Sequence, residues 1–178
     1  MVGFRDYIRY IYPLLEQGYI VETLNTRRTE KHDTHDLARY FDLIAVREGD
    51  VRLIRIMGGR MRADILAEIR AEVHFNEPSV EVWLVRGENR RIYRLINGDF
   101  YRMEYDLNYF DCRDAKEVMK FRLWGEEGIL VLGGYYAYFI KDKELYDHFD
   151  MDIKPYLSKT VRVVYQNNKL TFVRREED

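Results

Sequence analysis

The most regular hydrophobic pattern in the chain consists of two neighbouring runs joined by a short polar link. Residues 40–46 have the sequence YFDLIAV and residues 51–56 have the sequence VRLIRI. Both are rich in β-branched and aromatic residues, and Glu48-Gly49-Asp50 is a turn signal, so the pattern predicts two paired strands. The nearly continuous first run predicts a strand covered on both faces. Its one carboxylate, Asp42, then needs a cation or a hydrogen-bond donor, because unpaired burial is costly.

Further elements are predicted on either side of these two strands. Apolar residues at helical spacing predict an amphipathic helix over residues 4–16, with the apolar stripe Phe4, Ile8, Ile11 and Leu15. The other predicted elements are a strand over 19–24, a helix over 60–73, and a hairpin of strands 79–85 and 91–96. This order, αβββαββ, predicts an α/β domain with a mixed sheet flanked by helices.

The composition changes at Asn97-Gly98-Asp99, after which Tyr, Phe and Lys become frequent. We therefore predict two domains, residues 1–97 and a β-rich C-terminal extension of residues 98–178. The extension is predicted to contain several strands, a short helix over 143–149, and a final hairpin whose turn is Asn167-Asn168.

The sequence Asp-Leu-Ile-Ala-Val, followed by a tight turn and a second apolar strand, resembles the PD-(D/E)XK nucleases, and within them the archaeal Holliday-junction resolvases. The resemblance covers roughly residues 4–97 and implies a restriction-endonuclease-like fold. It places Asp42 at the acidic position that begins one strand of the family motif. The Glu-X-Lys of the next strand falls on Arg55-Ile56-Met57, so both residues of that half-motif are missing.

The resemblance implies a catalytically degenerate domain, and we expect the chain not to be an enzyme. Metal-dependent cleavage requires clustered carboxylates that hold Mg²⁺, and a guanidinium from Arg55 would repel the ion. We therefore expect no cofactor. The alternative is an active endonuclease that uses Mg²⁺ or Mn²⁺, with Asp42 as metal ligand and a relocated carboxylate. Glu68 on the following helix is the best candidate for that carboxylate.

Cationic residues suggest where nucleic acid would bind. The candidates lie in a charged loop, on the second central strand and at the start of the next helix: Arg27, Arg28, Lys31, Arg55, Arg60 and Arg62. Arginine is well suited to phosphate, and helix starts favour anions. The alternatives are a solvated loop, and surface arginines that pair with Asp64 or Glu68. A second alternative for the loop is a metal site built from His32, Asp33, His35 and Asp36.

Charge and composition narrow the other functional classes. Residues 1–97 carry fifteen Arg and one Lys against fifteen acids, a sum of +1, while residues 98–178 sum to −3. There is one cysteine, no membrane-length apolar run and no signal peptide, so a cytoplasmic protein is expected. The scarcity of Gln and abundance of Arg and Glu suggest a thermophilic source. We see no Walker loop, dinucleotide fingerprint or hydrolase triad.

Aromatic residues suggest partners of a different kind. The run at 135–139, YYAYF, is expected to lie in a core or in a protein or homodimer interface, and the alternative is stacking on single-stranded nucleic acid. For Trp83 the expectation is likewise a place in the core, and the alternative is stacking on a nucleobase. Two functions from the sequence therefore stay open beside the endonuclease: nucleic-acid binding by a degenerate nuclease-like domain, and protein binding as a scaffold.

Overall fold

The computed structural model describes residues 4–24, 37–149 and 161–174. The fold is mixed α/β, and most neighbouring strands pair antiparallel. The chain divides into two compact units, residues 1–100 and 101–178, whereas composition placed the change after Asn97. None of the helices within these described ranges is long and apolar enough to cross a membrane.

The first unit has the predicted order of elements. They are α1 (Phe4–Glu16), β1 (Ile20–Thr23), a short 3-10 helix (Leu37–Arg39), β2 (Leu43–Arg47), β3 (Asp50–Gly58), α2 (Ala63–Glu72), β4 (Ser79–Arg86) and β5 (Asn89–Ile96). The strands follow the order β1-β2-β3-β4-β5 along the sheet. Among the strands that the structure describes in this unit, β3 and β4 form the one parallel pair, and α2 makes the crossover between them. A mixed sheet is therefore confirmed for this unit.

Helix α2 covers one face of this sheet through alternating strand residues. Val80, Val82 and Leu84 of β4 form one buried cluster with Ile69 and Val73. The opposite face of β4 is buried as well, and Trp83 has no exposed surface there. The alternative that Trp83 stacks on a nucleobase is therefore wrong, and the alternative that Trp83 lies in the core is confirmed.

Helix α2 is shorter than the helix predicted over residues 60–73. Arg62, which precedes the first turn, has an extended backbone with φ −108° and ψ 108°. Met61 nevertheless packs against the same core as α2, which explains why it continued the helical periodicity in the sequence. Arg60 thus lies before the helix and not within its first turn, which corrects the prediction.

Helix α1 ends in a paired turn that fixes its direction. The Tyr19 N–H donates to the Leu14 carbonyl at 3.0 Å, and the Gly18 N–H donates to the Leu15 carbonyl at 2.9 Å, as in a Schellman motif. Gly18 has φ +83°, a conformation that glycine adopts at little cost. The predicted apolar stripe is wrong in part, because Leu14 is the buried residue while Ile8 and Leu15 are about half exposed.

The second unit is β-rich, as predicted. Its elements are β6 (Asp99–Glu104, which begins in the first unit), β7 (Tyr109–Cys112), β8 (Ala115–Leu123), β9 (Glu126–Gly133), β10 (Tyr136–Lys141), α3 (Lys143–His148), β11 (Val161–Gln166) and β12 (Lys169–Arg174). Four strands follow the order β6-β10-β9-β8, and three form a sheet with the order β12-β11-β7. The predicted Asn167-Asn168 turn is confirmed by positive φ angles of 53° and 56°.

Candidate functional site

Asp42 immediately precedes β2, and backbone hydrogen bonds fix its position there. The Asp42 N–H donates to the Ile54 carbonyl at 2.8 Å, and the Asp42 carbonyl accepts from the Leu24 N–H at 2.9 Å. The side chain is 3% exposed, and its Oδ2 accepts the Ile56 N–H at 2.7 Å. Backbone groups of strand β3 thus satisfy part of the hydrogen-bonding demand of this carboxylate.

Arg55 lies beside Asp42 on the neighbouring strand. Its Nε is 3.7 Å from Asp42 Oδ2, and the two side chains are 10% and 3% exposed. The Arg55 Nη1 donates to the Tyr40 carbonyl at 3.5 Å, a long contact, and the buried Nε has no hydrogen-bond acceptor among the described residues. The predicted proximity of Asp42 and Arg55 is confirmed, and the guanidinium retains donor capacity.

The two positions that matter for metal catalysis carry a cation and an apolar group. Arg55 stands beside Asp42 where the resemblance would place a glutamate. Met57, at the lysine position, is 4% exposed and packs in the α2-covered core. Glu68 lies on the exposed side of α2. In the described ranges, no three His, Cys, Asp or Glu side chains form a group that could hold a metal ion.

The basic candidates near α2 are exposed, but one already has a partner. Arg62 donates to Asp64 through Nη2 at 2.5 Å and through Nε at 3.3 Å. These hydrogen bonds raise the pKa of Arg62 and lower the pKa of Asp64. The predicted alternative of a surface ion pair with Asp64 is therefore confirmed for Arg62. Arg60 is exposed beside it.

Several candidates lie outside the described residues. These are Arg27, Arg28 and Lys31 for nucleic acid, and His32, Asp33, His35 and Asp36 for a metal. They stay predictions. Among the described candidates, the structure brings Asp42 and Arg55 into contact, and it places Arg60 and Arg62 next to each other on the connection that precedes α2.

A second buried polar cluster was not predicted from the sequence. Glu81 has no exposed surface and accepts from Arg52 Nε at 3.1 Å and Arg52 Nη2 at 2.8 Å. Ser79 Oγ donates to the same carboxylate at 2.9 Å, and Trp83 Nε1 donates at 2.8 Å. Burial opposes the charge of Arg52, but Glu81 outweighs it and raises the pKa of Arg52. Four donors on one enclosed carboxylate are typical of a structural network.

This network continues to the beginning of β1. The Tyr19 hydroxyl donates to the Asp50 carboxylate, and the guanidinium carbon of Arg47 lies 4.4 Å from the centre of the Tyr19 ring. Burial, and then the hydrogen bond to Asp50, raise the pKa of Tyr19 to about 12. Arg52 also lies within 5.4 Å of the Tyr19 ring. The cluster therefore connects Tyr19, which lies between α1 and β1, to strand β3.

A signal for this network was present in the sequence. Ser79, Glu81 and Trp83 alternate along a strand, so their side chains share one sheet face. Three groups with hydrogen-bonding capacity on one face of a mostly apolar strand indicate a polar partner across the sheet. Arg52 is that partner, and it lies on the neighbouring parallel strand β3.

The second unit contains a series of stacked rings that ends at the surface. The Phe110 and Tyr138 centroids are 4.6 Å apart, and the Tyr138 and Tyr136 centroids are 6.1 Å apart. In the predicted 135–139 run, Phe139 lies in the core, whereas Tyr135 is 83% exposed. The core prediction thus holds for only part of this run.

Comparison of the chain with protein-family models, with curated proteins and with solved structures finds no match to any of them.

Proposed function

We propose that this chain is a catalytically inactive, nuclease-like protein that binds nucleic acid. The observation that carries the proposal is the buried contact between Asp42 and Arg55, at 3.7 Å. It supports the expected degenerate arrangement, in which a guanidinium stands at a position where a metal-dependent nuclease needs a second carboxylate.

Catalysis is opposed by both charge and packing. A guanidinium beside Asp42 compensates the carboxylate that a divalent cation would require. Met57 belongs to the apolar core and offers no group that could position a nucleophile. The alternative of an active endonuclease would need Glu68 to join Asp42. The absence of a three-ligand group in the described part of the chain weighs against that alternative.

Phosphate binding is favoured by the arginines on β3 and on the connection before α2. Arg55 Nε has no hydrogen-bond acceptor in the part of the chain that the structure describes, so its guanidinium has a donor to offer to a phosphate oxygen. Arg60 and Arg62 are exposed on the connection before α2. The resemblance adds Arg27, Arg28 and Lys31 to the proposed contact set. All of these are contacts to phosphate, which carry no sequence information.

The test combines binding and cleavage on the same substrates. Fluorescence anisotropy of labelled single-stranded, duplex and four-way-branched DNA should show binding that weakens steeply with salt. The same DNA, incubated with the protein in Mg²⁺ and in Mn²⁺, should not be cut. Turnover that disappears in Asp42→Ala would overturn the inactive assignment. Absence of salt-sensitive binding to all three substrates would overturn the nucleic-acid assignment.

A second candidate function is protein binding by the second unit as a scaffold. Tyr135 is 83% exposed and Tyr109 is 53% exposed, and tyrosine is enriched in protein interfaces. Residues 98–178 carry net negative charge, which disfavours nucleic acid as their ligand. A scaffold would keep its protein partner when Tyr109 and Tyr135 are intact and lose it when both are changed to Ser.

A further inference from the structure

Helix α1 has a wider apolar surface than the described part of the chain covers. Leu14 is 1% exposed, whereas Ile8, Tyr12 and Leu15 are 51%, 62% and 49% exposed. These three positions are spaced by four and three residues, so they lie along one face of the helix. An exposed stripe of large apolar side chains on a helix is typical of an interaction surface. We call Ile8, Tyr12 and Leu15 the α1 stripe.

Two opposite charges flank the α1 stripe on the same side. At about 100° per residue, Arg9 and Glu16 lie roughly 80–100° from Ile8 in the same rotational direction. Both side chains are exposed. Arg9 lies near one end of the stripe and Glu16 near the other. The pattern is thus an apolar seam with a cation at its beginning and an anion at its end.

We infer that the α1 stripe is a two-fold interface with a second copy of this chain, in which the two α1 helices pack antiparallel. A two-fold axis beside Tyr12 places Ile8 of one copy opposite Leu15 of the other. The same rotation brings the charged flanks of the two helices together on one side of the seam. Arg9 of each copy then faces Glu16 of the other, which gives two ion pairs. In a parallel two-fold pair, the flank that carries Arg9 and Glu16 would face the opposite flank of the second copy, so neither charge would meet its complement.

The self-complementary charges are the reason for choosing a second copy over an unrelated partner. An isologous interface requires one patch to match itself after rotation, and α1 does so in both apolar and charged positions. A helix of 13 residues is only about 20 Å long, so α1 alone gives an interface at the small end of specific contacts. We therefore expect a reversible dimer with a dissociation constant on the order of micromolar.

The test uses charge reversal in the full chain, measured by sedimentation velocity over a concentration series. Arg9→Glu places two glutamates opposite each other, and Glu16→Arg places two arginines opposite each other. Each single variant should dimerise at least about tenfold more weakly than the wild type, because like charges then face each other. An equimolar mixture of the two variants should form a heterodimer, in which both facing pairs are complementary. The double variant R9E/E16R should dimerise like the wild type.

Two further variants separate this interface from others. Tyr12→Glu places a charge near the two-fold axis and should give monomers. Because Tyr12 is exposed, the substitution removes little packing, and circular dichroism checks that the variant is folded. Tyr135→Glu makes the same change at an exposed tyrosine of the second unit and should leave the dimer intact. A monomeric wild type at about 100 µM, well above the expected dissociation constant, would overturn the inference. So would a wild-type dimer that Arg9→Glu leaves unchanged, or one that Tyr135→Glu dissociates.

Discussion

Arg52 and Glu81 form a two-point ion pair across the parallel strands β3 and β4, with nitrogen–oxygen distances of 3.1 and 2.8 Å. Three residues further along β3, Arg55 approaches Asp42 only to 3.7 Å, and its Nε finds no hydrogen-bond acceptor within residues 4–24, 37–149 and 161–174. Strand β3 thus carries two arginine–carboxylate pairs, one with two short hydrogen bonds and one with a longer contact. The first has the properties of a structural element, and the second has donors available for a ligand.

Glu81→Ala should destabilise the first unit by about 3–5 kcal/mol, because it leaves the buried guanidinium of Arg52 without its carboxylate. Urea denaturation followed by tryptophan fluorescence measures the change. The double variant Arg52→Met with Glu81→Leu should recover much of the loss, since no buried charge is then left alone. Asp64→Ala, which removes the carboxylate of an exposed pair, should change the free energy of unfolding far less, because solvent screens exposed ion pairs. Equal effects of Glu81→Ala and Asp64→Ala would contradict the structural role of Glu81.

Asp42→Ala should destabilise the protein by about 3 kcal/mol, the low end for a buried pair, because its approach to Arg55 is long. It also removes the acceptor for the Ile56 N–H. Asp42→Asn keeps an oxygen for that N–H and removes only the charge, so the difference between the two variants measures the backbone hydrogen bond. The same denaturation experiment applies. A change below about 1 kcal/mol for Asp42→Ala would show that the pair behaves like an exposed one.

The comparison of these two pairs shows what the sequence could predict. The adjacency of Asp42 and Arg55 followed from a local turn, since residues 48–50 set the pairing of β2 and β3. The order of elements followed from periodicity, which is also local. The Arg52–Glu81 pair depends on the parallel register of β3 and β4. These strands are joined through α2 and not by a tight turn, so no local sequence pattern predicts their register. Helix α1 shows the same limit, because its periodicity revealed an apolar face but could not tell which part would be covered.

Arg55→Glu should create a divalent-cation site that the wild type lacks. The substitution replaces a repelling guanidinium with a second carboxylate beside Asp42. Isothermal titration calorimetry with Mn²⁺ should then show binding to the variant and none to the wild type. Arg60→Glu makes the same change of charge on the surface and should not bind Mn²⁺ at this stoichiometry. Adding Met57→Lys completes the family motif. A folded Arg55→Glu variant that binds no Mn²⁺ would count against the family alignment.

The hydrogen bond from Tyr19 to Asp50 should make stability depend on alkaline pH. The pKa of Tyr19 is raised to about 12 in the folded protein, from an ordinary value near 10 in the unfolded chain. The folded state therefore holds this proton more tightly. The resulting stabilisation is fully present below pH 10 and is lost as the pH rises towards 12. It amounts to about 1–3 kcal/mol at most.

The measurement for Tyr19 is the free energy of unfolding at several pH values between about 9 and 11.5. Other tyrosines and lysines titrate in this range, so the wild type is compared with Tyr19→Phe. The variant should be less stable at pH 9, and the difference should shrink as the pH rises. A difference that stays constant over the whole range would show that Tyr19 does not hold its proton more tightly in the folded protein.

The salt dependence of DNA binding counts the cations that contact phosphate. Five contacts from Arg27, Arg28, Lys31, Arg60 and Arg62 would give a slope of about −4.5 in a plot of log K against log salt concentration for duplex DNA, and a sixth contact from the buried Arg55 would make it about −5.4. Changing Arg60 and Arg62 to Ala should flatten this slope by about two units, with equal losses on unrelated sequences.

The control for this slope must remove the same charge elsewhere. Arg122 and Lys141 are exposed in the second unit, and each is paired with a glutamate at 2.8 to 2.9 Å. Their replacement by Ala also removes two positive charges but should leave the slope unchanged if only the first unit contacts DNA. Arg62 is paired with Asp64, so binding must break that pair, which contributes little because it is exposed to solvent. A slope that falls equally in both double variants would mean that net charge, and not the connection before α2, governs binding.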